Sequence, residues 1–160
     1  MPHGPNNSLS TGELIRLELD GKNVALGRYD TLIWQIRSGF VIFLYGALGL
    51  LFKDGLKIKD LDLQVILLVC GFSLLAYAMD LSFRIRQLRV EAAYNHLIDQ
   101  ALKHSAGETV DIGALRQLLH LAGESRIKPD RRALIRSVIF IFIFYASTPL
   151  LMGLLRLGGK

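Results

Sequence analysis

YDTLIWQIRSGFVIFLYGALGLLF, Tyr29 to Phe52, carries a single charge, Arg37, inside the apolar run that begins at Leu32. That run matches the ~20 residues a helix needs to cross a hydrocarbon layer of about 30 Å. Two more runs of similar length follow, Val65 to Phe83 and Leu134 to Leu155. None shows the amphipathic period of a soluble bundle helix; IFIFYA, Ile141 to Ala146, is apolar on every side. With 51% hydrophobic residues in a chain of 160, lipid is expected to be part of the solvent. The pattern predicts an all-α integral membrane protein with three transmembrane helices. About thirty mostly polar residues precede the first run, where a signal peptide would carry a short basic region, so that run is expected to remain in the mature protein.

Lysine and arginine are unevenly shared among the connecting segments. Arg16, Lys22 and Arg28 precede the first run, and the second connection holds Arg84, Arg86, Arg89, Lys103, Arg116, Arg126, Lys128, Arg131 and Arg132. The first connection offers only Lys53, Lys57 and Lys59, balanced by Asp54, Asp60 and Asp62. The positive-inside rule then places the N-terminus in the cytoplasm and the C-terminus outside, with a bacterial inner membrane as the expected setting. The net charge of +5 is thereby mostly topology and gives no reason to expect a nucleic-acid partner.

Four segments are expected: a cytoplasmic N-terminal segment, 1–28, disordered at its start; the first two spans, 29–83; a cytoplasmic helical hairpin, 84–133; and the third span with its tail, 134–160. In ELIRLELDGKNVALG the alternation at Ile15, Leu17 and Leu19 and the Asp20-Gly21 turn signal predict a short β-hairpin, with an amphipathic helix begun by the capping-box pattern Ser10 to Glu13 as the rival. SFRIRQLRVEAAYNHLIDQALKH contains neither Gly nor Pro, and Val90, Tyr94, Leu97, Ile98 and Ala101 recur at helical spacing, so one helix should continue from the second span to about Lys103. SAGETVD breaks it. DIGALRQLLHLAG, with Ile112, Leu115, Leu118, Leu119 and Ala122 on one face, should form the second arm of the hairpin.

Two answers suit Arg37. It lies near the cytoplasmic end of its span, beside Trp34 and Tyr29, where a long side chain can snorkel to the headgroups. Alternatively it pairs with Asp80, set at a similar depth in the second span, for which Arg84 and Arg136 are competing partners. An ionisable group inside a span costs about 2.5 to 3.5 kcal/mol at mid-membrane, so Asp80 should turn away from lipid. Ser73, Ala76 and Tyr77 share its side of the helix, which is expected to face protein or a lumen. Gly39, Gly46, Gly49 and Gly71 are candidates for close helix packing, and a second neighbour for the first span implies a homo-oligomer. Ser147, Thr148 and Pro149 predict a kink in the third span. Arg84, Arg86 and Arg89, where the second helix leaves the membrane, suit anionic headgroups.

The one cysteine, Cys70, excludes an intramolecular disulfide, and the histidines lack helical metal-pair spacing, so neither metal nor cofactor is expected. No nucleophile with a base, paired carboxylates or Gly-rich phosphate loop stands out, and no enzyme activity is expected. Two functions fit: a homo-oligomeric pore or membrane-disrupting effector controlled by its cytoplasmic helices, and a non-conducting scaffold that recruits a protein partner through them. In outline the architecture resembles few-span helical effectors of bacterial defence systems, without a shared motif.

Overall fold

The structure, a computed structural model, describes residues 10–53, 63–110 and 128–158. Among the described residues it contains three helices: α1 (Thr11–Lys53), α2 (Leu63–Ser105) and α3 (Arg131–Gly158). Among the described residues there is no strand. Each helix is long and apolar enough to cross a membrane, and the three together fit an integral membrane protein. The second arm of the expected hairpin, around residues 111–123, lies outside the described residues, as do residues 1–9.

The N-terminal β-hairpin is replaced by helix. Ser10 and Glu13 close a capping box: the Glu13 N–H donates to Ser10 Oγ (3.3 Å), while the Ser10 N–H and hydroxyl both donate to Glu13 Oε2 (2.9 Å each). Two donors that a helix start leaves unmatched are thus satisfied. Ile15, Leu17 and Leu19 fit both periods, but only the helical one continues. Ile15, Leu19, Lys22, Leu26, Tyr29 and Ile33 recur at steps of three and four and are buried or half-buried, whereas Leu17 is exposed. Gly21 and Gly27 each weaken an isolated helix by about 1 kcal/mol. A buried stripe of that length outweighs them, and the Asp20-Gly21 turn signal is overridden by packing.

α2 ends in a Schellman arrangement. The Gly107 N–H donates to the His104 carbonyl (3.1 Å) and the Glu108 N–H to the Lys103 carbonyl (3.0 Å), with Gly107 at φ 78°, where a side chain would be strained. Lys103 and His104 occupy the last turn, where positive charge suits the helix dipole.

Contacts divide the chain into two units, Met1–Arg28 with Arg86–Asp130 and Tyr29–Ile85 with Arg131–Lys160. In the first, Ile15, Ala93 and Leu97 form a small core, joined by Leu14, Leu19, Ala101 and Val110. Leu97 and Ala101, from the stripe on α2 expected to meet the second hairpin arm, thus share a core with Ile15 and Leu19 at the start of α1. In the second unit Phe40, Leu44, Val69, Ala76, Ile141, Tyr145 and Met152 form the core. Phe40 is its hub, edge-on to Tyr145 at 4.7 Å between ring centroids and stacked on Phe72 at 5.8 Å.

Candidate functional site

Each helix of the second unit presents one buried stripe. On α1 it is Ile33, Phe40 and Leu44, with Arg37 between them; on α2 it is Val69, Ser73, Ala76 and Asp80; on α3 it includes Ile141, Tyr145 and Met152. Steps of three and four keep each set on one face. Arg37 and Asp80 thus belong to the faces that meet, and the geometry there answers why an arginine stands in an apolar run.

Asp80 is fully buried (0% exposed) and accepts three hydrogen bonds. Arg37 Nε donates to Oδ2 at 2.7 Å and Nη2 to Oδ1 at 3.3 Å, so the guanidinium and carboxylate meet as two forks. Tyr145 Oη donates to Oδ2 at 3.1 Å. One carboxylate therefore ties together α1, α2 and α3. The Arg37 side chain remains 28% exposed and lies over the Phe140 ring, its Cζ 5.9 Å from the centroid. An aromatic face, a carboxylate and a phenol together replace the water that both charges would otherwise keep.

The other residues singled out from the sequence are distributed as follows. Ser73 and Ala76 are buried beside Asp80, and half-buried Tyr77 meets the edge of Phe142 at 6.1 Å. Gly39, Gly46, Gly49 and Gly71 are exposed, and a Cβ added to any of them would meet nothing within 4 Å. Among the described residues no other helix packs closely on them. Arg84 Nε donates to Ser137 Oγ at 3.3 Å, linking α2 to α3, while Arg86 and Arg89 are exposed. α3 runs unbroken through Pro149. The Ser147 hydroxyl donates to the Phe144 carbonyl at 2.9 Å, not to that of Tyr145, the carbonyl for which Pro149 has no N–H.

Tyr145 and Phe140 do not stand out in the sequence. Both sit in the IFIFYA region, where an even apolar run conceals which face is buried, although a lone phenol at the depth of a buried carboxylate is a usable signal. Among the described residues no group of three or more His, Cys, Asp or Glu could hold a metal ion. The Arg37, Asp80 and Tyr145 cluster is a hydrogen-bonded joint of three helices. No protein-family model, curated protein or solved structure matches the chain.

Proposed function

We propose that the protein is a non-conducting membrane scaffold that self-associates through its outward glycine faces and docks a protein partner through its first unit. The observation that carries this is the burial of the polar side of α2 within one chain: Asp80 is enclosed and Ser73 is 4% exposed. A subunit whose polar span residues are used internally has few left to line water. Self-association draws on exposed Gly39, Gly46 and Gly49, where close approach between copies meets no side chain of the same subunit. Partner docking draws on Leu17 and Val24, exposed and two turns apart on α1. The bias in lysine and arginine supports a first unit on the cytoplasmic side.

The rival is a ring of copies around a conducting path, for which Ser147, exposed on α3, is the residue best placed to face a lumen. The test is the molar mass of the purified protein in detergent by light scattering, followed by potassium flux from proteoliposomes. A mass of two to four copies with tight vesicles is expected. Flux that rises with protein loading would overturn the scaffold and establish the pore.

A further inference from the structure

Beside the charged joint, a cavity of about 170 Å³ lies between α2 and α3, walled by Cys70, Ser73, Leu74, Tyr77, Phe142, Tyr145, Ala146 and Pro149. In an apolar core about this volume is enough to hold benzene. Cys70, Leu74 and Phe142 are exposed and form its rim, so it opens sideways, where acyl chains would lie.

One polar group on its wall lacks its usual partner. Ser73 Oγ is buried with no hydrogen-bond partner among the described residues. Helical serines ordinarily turn back to their own backbone: Ser38 donates to Trp34 O at 2.8 Å, Ser105 to Leu102 O at 2.7 Å and Ser147 to Phe144 O at 2.9 Å. Ser73 does not. The phenol of Tyr145 is already engaged by Asp80. Apart from the Cys70 thiol and the Tyr77 phenol the rest of the wall is apolar or aromatic, and among the described residues neither a basic nor a carboxylate side chain lines it.

We propose that this cavity binds a neutral, hydroxyl-bearing apolar molecule, an aliphatic or aromatic alcohol dissolved in the bilayer. A hydroxyl both donates and accepts, so it can take the Ser73 proton or donate to its oxygen, while the carbon skeleton fills the apolar remainder. A pure hydrocarbon leaves Ser73 unpaired. An anion finds no counter-charge there. This assignment is independent of whether the assembled protein conducts.

The test uses the full chain in proteoliposomes and two photoactivatable probes, a diazirine-bearing alkyl alcohol and the same molecule with methyl in place of the hydroxyl. Labelled peptides spanning 70–77 and 142–149 are quantified by mass spectrometry, and the alcohol-to-hydrocarbon labelling ratio is read within each sample. A preference of about fivefold for the alcohol is expected in the wild type, the size of one net hydrogen bond. Ser73→Ala should bring the ratio to about one, and Ala146→Leu, which fills the cavity and leaves the hydroxyl in place, should lower labelling by both probes. Equal labelling by the two probes in the wild type, meaning ordinary lipid contact only, overturns the proposal. So does a ratio that Ser73→Ala leaves unchanged.

Discussion

Asp80 is an acidic residue with no exposed surface, held by a forked guanidinium and one phenol, and its partners are unequal. Removing the arginine leaves a carboxylate buried among apolar side chains; removing the phenol leaves the ion pair intact. Arg37→Met should therefore destabilise the bundle by about 3 to 5 kcal/mol, the range for breaking one side of a buried pair. Tyr145→Phe should cost about 1.5 to 3 kcal/mol, as expected for a hydrogen bond to a charged group. Exchanging the charges, Arg37→Asp with Asp80→Arg, should recover part of the loss. Unfolding monitored by circular dichroism in mixed micelles checks all three; equal losses for Arg37→Met and Tyr145→Phe, or no recovery on exchange, would mean that the fork is not the dominant contact. The matched depth of Arg37 and Asp80 is legible in the sequence because charges in an apolar run are conspicuous. Tyr145 is concealed by the opposite circumstance, a phenol among aromatic neighbours whose ring alone explains its presence.

At the scale of elements, the three spans announce themselves by length and composition, and the start of α1 does not. Ile15, Leu17 and Leu19 satisfy period two over five residues, and only the extension through Lys22, Leu26 and Tyr29 favours the helix. A local window holds too little information to choose. The capping box is the better guide, because it reports backbone donors, not a hydrophobic face. Its hydrogen bonds from the Ser10 backbone and hydroxyl hold the Glu13 carboxyl below its ordinary value of 4.5. A carboxyl lowered in the folded state stabilises it above the unfolded value and loses that contribution as pH falls through the lower, folded one. The first turn of α1 should therefore fray on acidification below about pH 4.5. Amide hydrogen exchange at residues 13 and 14, corrected for intrinsic rates, should accelerate there, and Glu13→Gln, which cannot titrate, should show no such acceleration. An acid response that persists unchanged in Glu13→Gln would remove the capping box as its cause.

At the scale of the whole molecule, the outer surface of the spans carries both lipid-facing apolar residues such as Trp34, Ile42 and Leu150 and the bare glycines of α1. Lipid has no use for a flat glycine face in particular, whereas a second helix does. In a Cys70→Ser background, Gly46→Cys should cross-link into dimers under mild oxidation, for most of the chain, while Leu150→Cys should do so far less. Equal cross-linking at the two positions would indicate random encounters. Composition reveals the glycines but not their direction, because which side of α1 is inward depends on Arg37, Phe40 and Leu44 finding partners on the other two helices.

The three-way joint at Asp80 also bears on biogenesis. α1 and α2 precede α3 in the chain, so a ribosome delivers Arg37 and Asp80 before Tyr145 exists. Paired, the two opposite charges let the first two helices enter the bilayer together as a neutral hairpin, where each alone would carry an uncompensated ion. Tyr145 then arrives to a carboxylate already in place, and the last helix docks onto a finished pair.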